Sequence, residues 1–499
     1  MTLVSSFNKT FEAYKGKAAI EFDNNEVTFD EVNKRANEVA NALSKAGIGK
    51  GDRVAIFLSN SMELVYFFVG ALKNGSIVVP MNISFKGMEV KYMLNDSGAK
   101  AVLTDKETLP IIKNVLPELK GLKHIITAGC SEFTDFNDFI SGASDGEPGV
   151  EINGEDGSII FYTSGTTGRS KGALLSHRNM ESDLDALKEA WRLTDKDRLL
   201  LALPLYHIHG LGVALCGSFY NGYSLVLRKR FDAEETLKLI QDKKCTLFMG
   251  VPTMYIKILE VNEKYDTSSM RLFISGSAPL SAETFKEFKE KFGHNILERA
   301  GMSETNMNFS NPYHGKRKPG TVGLPLKGVK VKIVGKNFRE VPKGREGDIL
   351  IKGPNVFKGY WNAPEKTKES FHDGWFITGD VGKIDNDGYI TFLGRSKDLI
   401  ISGGLNIYPA EVEEVVNSHP AVLESAIIGV PDKYFGEAVK VFVVLKKGKK
   451  AAEEEIIAYC KEKLASYKKP KYVEFIDALP KNSMGKVQKN VLREREASK

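Results

Sequence analysis

Hydrophobic positions along the first two-thirds of the chain alternate between two spacings. From Phe29 to Ala46 apolar residues recur at helical intervals, and Arg53 to Leu58 follows as a short apolar strand. Met62 to Asn74 is helical again, and Ile77 to Pro80 is another strand. This alternation predicts βαβ units and a largely parallel sheet. A second round places strands at Leu199 to Leu203, Ser224 to Leu227, Thr246 to Val251 and Leu272 to Ser275, with helical segments between. From Val329 short strands are separated by turns, as in Asp348 to Lys352 and Tyr389 to Leu393, which predicts a small β-rich region. The stretch Gly394-Arg395-Ser396-Lys397-Asp398 reads as a boundary. Beyond it lie a helix near Ala410 to Ser418, strands near Leu423 to Val430 and Val439 to Leu445, and a helix near Glu453 to Leu464. The expected fold is α/β. A large N-terminal domain (1–394) of several subdomains has doubly wound sheets and the β-rich region. A boundary segment (395–398) joins it to a smaller α+β C-terminal domain (399–499).

Composition narrows the class. With 42% hydrophobic and 27% charged residues, the 499-residue chain has the balance of an ordinary globular protein and is too long for one core. Its 70 basic and 64 acidic side chains leave a net charge of only +6, and the lysine clusters alternate with acids. The runs Lys446 to Lys450 and Lys468 to Lys471 therefore read as loop surface, not as a nucleic-acid site. Cys130, Cys216, Cys245 and Cys460 have no metal-ligand spacing and read as buried free thiols in a reducing compartment. No stretch approaches the roughly 18 apolar residues that span a bilayer, and the start of the chain lacks a signal-peptide pattern. A cytoplasmic place of work is expected.

The most informative segment is Tyr162-Thr163-Ser164-Gly165-Thr166-Thr167-Gly168-Arg169-Ser170-Lys171-Gly172, which follows the apolar strand Ser158 to Tyr162. Small residues let backbone N–H groups approach a polyphosphate, hydroxyls add donors, and Arg169 and Lys171 add positive charge. It is not a Walker A loop, because Ser170 and Gly172 stand where that pattern needs Gly and Ser or Thr. Gly47-Ile48-Gly49-Lys50-Gly51 precedes a strand instead of following one, so a dinucleotide reading fails there.

This loop resembles the phosphate-binding signature of the adenylate-forming superfamily, which includes acyl-CoA synthetases. Further motifs recur in that family's order: Leu203-Pro204-Leu205-Tyr206-His207-Ile208-His209-Gly210, Gly301-Met302-Ser303-Glu304, Trp375-Phe376-Ile377-Thr378-Gly379-Asp380, Gly394 to Asp398, Ser402-Gly403-Gly404-Leu405-Asn406-Ile407-Tyr408-Pro409, and Pro480-Lys481-Asn482-Ser483-Met484-Gly485-Lys486. The resemblance implies ATP, Mg²⁺ and coenzyme A as partners in a two-step ligation. Thr163, Ser164, Gly165, Thr166, Thr167, Gly168 and Lys171 would hold phosphates, beside Gly301, Met302 and Ser303. Glu304 and Thr163 would hold Mg²⁺, Asp380 and Arg395 would meet the ribose, and Lys486 would bridge the α-phosphate and the acyl carboxylate. The C-terminal domain would then rotate about Lys397 and bring Gly403 and Gly404 against the thiol's pantetheine arm.

The stretch from Leu297 to Tyr313 more closely resembles malonyl-CoA synthetases. By that resemblance Arg299, with Ser277 in Gly276-Ser277-Ala278-Pro279-Leu280, would receive a distal carboxylate, and His207 would wall the acyl channel. A second buried charge is costly unless a guanidinium meets it. Malonate–CoA ligation is thus the leading reading. A short- or medium-chain acyl-CoA synthetase of other specificity and a carrier-protein-loading adenylation enzyme stay open. Two positions depart from the family pattern. Ala300 replaces an aromatic residue that stacks on adenine, and Ser170 replaces a proline. Ala300 implies weaker ATP binding and keeps open a non-catalytic member that binds acyl-AMP or CoA.

Overall fold

The computed structural model describes residues 2–163, 170–403, 405–482 and 485–498. Among these residues the chain builds four sheets. In the first, strands Arg53–Phe57, Ile77–Pro80, Ala99–Asp105, His124–Ala128 and Gly157–Thr163 run parallel, and the antiparallel strands Lys171–Ser176 and Gly359–Tyr360 close one edge. In the second, Ala18–Phe22, Ser224–Leu227, Arg198–Leu201, Leu247–Gly250, Leu272–Ser275 and Leu297–Met302 lie parallel in that spatial order.

Parallel strands need cover on both faces, which is why their sequences are unbroken apolar runs. Val54 and Ile56 point into a layer shared by both large sheets, whereas Ala55 and Phe57 join a separate core on the outer face. Likewise Leu199 and Leu201 face inward, while Leu200 packs outward with Phe248 and Phe273. Helices Leu3–Ala13, Phe29–Lys45 and Met62–Lys73 contribute to the shared layer. Thr28 and Glu31 start the second of these as a reciprocal capping box.

The β-rich region is an antiparallel sheet of Lys330–Val334, Gly347–Lys352, Trp375–Ile384, Phe371–His372 and Ile390–Arg395. Beyond it, residues from Ile400 onward form two cores of their own around strands Val422–Asp432 and Gly436–Leu445. The chain thus has a large N-terminal and a smaller C-terminal domain. Leu399 and Tyr408 pack on Val381 and Leu393 at the junction. No described helix is long and apolar enough to cross a membrane.

Two surface readings need correction. Cys130 is only partly buried, unlike the other three thiols. Lys446 is not merely loop surface. Its ammonium pairs at 3.1 Å with Glu283, so one ion pair crosses between the domains, with its side chains 33% and 37% exposed.

Gly301 shows how tightly the fold fixes the motif it opens. A Cβ there would lie 1.9 Å from the Asn306 carbonyl oxygen and 2.7 Å from Met307 Cε, across the pairing of Leu297–Met302 with Asn306–Ser310. Any side chain must therefore displace backbone. Gly301→Ala is expected to destabilise the protein by at least ~1–3 kcal/mol, the scale of overpacking. Thermal unfolding of the purified variant checks this, and an unchanged Tm would contradict the close approach.

Candidate active site

In parallel sheets, ligands gather at the carboxyl ends of the strands, where the loops converge. The segments singled out in the sequence leave such ends. Thr163 ends one strand, the residues 203–210 follow Arg198–Leu201, and Gly276 follows Leu272–Ser275. Ser164, Gly165, Thr166, Thr167, Gly168 and Arg169 lie outside the described residues, as do Gly404, Ser483 and Met484. The two ends of the phosphate-loop segment meet: Thr163 pairs with Lys171 across the hairpin, and its hydroxyl donates to the Lys171 carbonyl at 3.4 Å.

Across from this hairpin, three motifs converge. Glu304 is buried, and burial pushes its carboxyl above the ordinary range, against the opposing pull of its backbone, the Tyr360 hydroxyl and Arg395. Asp380 and Arg395 are register partners on adjacent strands, and Arg395 Nε donates to Asp380 Oδ1 at 3.0 Å. Arg395 Nη1 also donates to the Thr378 carbonyl at 3.0 Å. Burial raises the Asp380 pKa, with Arg395 and then Lys486 opposing it. Lys486, from the C-terminal domain, reaches the same place while keeping solvent contact. Desolvation first and Arg395 second lower its pKa, while Asp380 holds it up. Asn482 Oδ1 accepts the Lys486 N–H at 2.9 Å. The neighbouring Gly485 faces Thr253 of the large domain so closely that a Cβ would sit 3.0 Å from its hydroxyl. Gly403 is exposed and packs against Phe435, apart from this cluster.

The second half of the site is nearly dry. Arg299 is only 2% exposed, and its Nε and Nη2 have no hydrogen-bond partner among the described residues. Gly276 lies flat against it, because a Cβ there would come within 2.6 Å of the guanidinium carbon. Burial lowers the Arg299 pKa to about 10, so the group stays charged at neutral pH. Asp183, the acid whose charge it feels, forms no ion pair with it among the described residues. Asp183 accepts the Met307 N–H at 3.0 Å, Glu298 accepts the Leu280 N–H at 3.1 Å, and burial pushes both carboxyls up to about 8. Ser277 follows Gly276 in the left-handed region at φ +71°, and its hydroxyl lies 3.4 Å from His209 Nδ1. Burial holds His207 down to about 4 and His209 well below its ordinary value, so both are neutral, and each has an unpartnered Nε2. Buried polar atoms are normally hydrogen-bonded, and a buried charge normally has a partner. An unpaired guanidinium beside a neutral imidazole and a serine fits an anionic ligand group.

Of the residues singled out in the sequence, Ser277 and Arg299 lie around His209, and His207 is within electrostatic reach of that same imidazole. The sequence reading missed His209, Asp183 and Glu298. Asp183 carried a signal, being a carboxylate within the apolar stripe of Met180, Leu184 and Leu187 on helix His177–Trp191. Ala300 is buried opposite Phe309 on the next strand and puts no aromatic ring at that position.

Comparison with known proteins agrees with this layout. Residues 7–361 match the model of the AMP-binding enzyme family, and residues 411–486 match the AMP-binding enzyme C-terminal domain. A long-chain-fatty-acid–CoA ligase of Bacillus subtilis is 36% identical, over 99% of this chain and 94% of its own. The crystal structure of ATP-bound MatB from Rhodopseudomonas palustris is 43% identical, with a TM-score of 0.93 over 99% of both chains. The same protein without nucleotide matches at 0.84. An anthranilate–CoA ligase in complex with anthranoyl-AMP, 32% identical, matches at 0.95 over 100% of this chain and 98% of its own. Backbone likeness therefore does not separate these acids.

Glu298, which holds the end of the loop 276–280 through the Leu280 N–H, gives the fold a pH signature. An unfolded chain ionises this carboxyl near its ordinary value, whereas the fold keeps the proton to about 8. The folded state binds the extra proton between those values, so this group's contribution to stability falls as pH rises through that window. Glu298→Gln keeps an oxygen for the Leu280 N–H and has no proton to lose. Relative to the parent, the variant is expected to gain stability from about pH 5 to about pH 8, at no more than ~1.4 kcal/mol per pH unit, and then to level off. Paired denaturation curves across that range check this. A pH-independent difference would mean that Glu298 is ionised in the fold.

Proposed function

Because this chain belongs to the AMP-binding enzyme family and is an AMP-forming acid–CoA ligase, we propose that its acid is a short dicarboxylate, malonate first among them. The observation that carries this reading is the buried, unpartnered guanidinium of Arg299. An alkyl tail would leave that charge stranded, whereas a distal carboxylate would pair with it, with Ser277 and His209 beside it as further polar partners. The likeness to MatB, a malonyl-CoA synthetase, favours the same acid. The relatives named for long-chain and feruloyl substrates are the reason the acid must be tested.

In the first half-reaction the near carboxylate attacks the α-phosphate of ATP, an acyl-phosphate bond forms, and pyrophosphate leaves. The attack joins two anions, so positioning and charge neutralisation do most of the work. Lys486 would bridge the α-phosphate and the attacking carboxylate. Asp380 would accept the ribose hydroxyls while Arg395 holds its other side, and Lys171 with the residues 163–168 would hold the outer phosphates. The described residues contain no cluster of three acidic, His or Cys ligands. A single acid, Glu304, with the hydroxyl of Thr163 suits Mg²⁺, which keeps waters and substrate phosphates in its shell. When bound, the ion supplies positive charge against the departing pyrophosphate.

In the second half-reaction the thiol of coenzyme A attacks the acyl carbonyl and AMP leaves. Lys486 would have to withdraw, with the C-terminal domain turning about Lys397 and presenting Gly403 and Gly404. Lys486 beside Asp380, and the better match to the ATP-bound relative than to its nucleotide-free form, support the arrangement that serves the first step. A cytoplasmic location belongs to the same proposal.

Arg299→Ala should cost malonate roughly 2–5 kcal/mol of transition-state stabilisation, the scale for truncating one member of a buried charged pair, and butyrate far less. The ratio of the two kcat/KM values, read by pyrophosphate release, should fall by at least an order of magnitude at ~1.4 kcal/mol per factor of ten. An unchanged ratio sinks the dicarboxylate assignment. Lys486→Ala should abolish acid-dependent pyrophosphate release yet still convert supplied malonyl-AMP to thioester. Equal loss of both half-reactions would count against the domain turn.

A further inference from the structure

One aromatic side chain outside every motif singled out in the sequence joins two of them. Residues 357–361 run along the edge of the eight-stranded sheet. There the Phe357 N–H donates to the Glu304 carbonyl at 2.8 Å, the Lys358 N–H to the Leu174 carbonyl at 2.9 Å, and the Trp361 N–H to the Gly172 carbonyl at 2.7 Å. The segment therefore fastens the peptide of Glu304 to the strand that leaves the phosphate loop. From its centre, Tyr360 Oη donates to Glu304 Oε1 at 3.0 Å. The Lys171 ammonium lies over the same ring, 4.7 Å from its centroid. Phe357 packs edge-on against the same ring, at 4.9 Å.

We propose that Tyr360 is a positioning residue for the magnesium–nucleotide site. Its hydroxyl fixes one oxygen of Glu304 so that the other is presented to the ion, and its ring holds the Lys171 ammonium at a set separation from that carboxylate. This rests on the reading above that Glu304 and Lys171 serve Mg²⁺ and phosphate. Without such a tether the arrangement is unfavourable in its own right. A Lys ammonium near a carboxylate tends to close into a direct ion pair, which would occupy both groups before a nucleotide arrives. The cation–π contact and the phenol hydrogen bond give each charge a neutral partner instead. Burial raises the phenol's pKa, so it remains a donor at any working pH. Outer-shell partners of this kind orient a ligating carboxylate without touching the metal.

The test uses the full-length protein, a non-hydrolysable ATP analogue and stepped Mg²⁺, read by titration calorimetry, with thermal unfolding alongside. Tyr360→Phe keeps the ring over Lys171 and removes only the hydroxyl. Its half-saturating Mg²⁺ for analogue binding is expected to rise about tenfold, the lower end for losing an outer-shell partner. Affinity for the analogue without Mg²⁺, and Tm, should stay close to the parent's. Tyr360→Leu removes the ring as well and should also weaken metal-free binding. An unchanged Mg²⁺ dependence in Tyr360→Phe, or equal weakening with and without the ion, overturns the proposal. Glu304→Gln separates the two levels. If it shifts the Mg²⁺ dependence and Tyr360→Phe does not, only the role of Tyr360 fails. If neither shifts it, the assignment of Glu304 to the metal fails too.

Discussion

A guanidinium held almost entirely out of water, with no carboxylate to meet it, is an unfavourable thing for a fold to contain, and much of the acid pocket is arranged around it. Charges buried alone are costly, and the usual remedy is an ion pair or a lost proton. Arg299 has neither remedy. Asp183, its acidic neighbour, accepts the Met307 N–H instead of closing on the guanidinium, and burial pushes its carboxyl up to about 8. Gly276 gives up a side chain so that the loop bearing Ser277 can lie against the cation. The instability that remains is local, and a ligand can relieve it. On the dicarboxylate reading proposed above, binding energy would then be available for the acid that carries a second charge.

The nucleotide half follows a different logic. Its groups come in opposed pairs on separate elements: Asp380 with Arg395 on neighbouring strands, and Lys486 arriving from the other domain. Asp380 and Arg395 are partly buried together, and the buried Glu304 has the Tyr360 hydroxyl. Mutual compensation suits a site whose ligand is a polyanion that enters, reacts and departs in pieces, because the residues that remain are never left with a large unbalanced charge.

Much of this architecture was legible in the sequence. Strands Ile77–Pro80, Ser224–Leu227 and Leu272–Ser275 fall where the apolar runs put them, since burial on both faces leaves a continuous run bounded by turn residues. Thr163, Glu304, Asp380, Arg395 and Lys486 were singled out through motifs, and the fold brings Glu304, Asp380, Arg395 and Lys486 within electrostatic reach of one another. What escaped were residues whose importance exists only after folding. Glu298 reads as one more acid on a strand, and nothing local says that it will be enclosed and meet the Leu280 amide. Tyr360 reads as a core aromatic, and its two partners are distant in sequence. Lys446 sits in a run of lysines that looks uniformly solvated, yet one of them reaches across the cleft.

That last contact bears on how the enzyme cycles. A half-exposed lysine–glutamate pair is worth little in water, typically less than about 1 kcal/mol, and is weakened further by salt. That one fastening, between Lys446 and Glu283, is thus close to thermal energy, unlike the apolar contact of Leu399 and Tyr408 at the junction. If the C-terminal domain turns on every cycle, as the proposed second half-reaction requires, any firm attachment there would slow it. With a weak one, the choice between seats would pass to whatever occupies the cleft, and the ligands would keep time for the reaction.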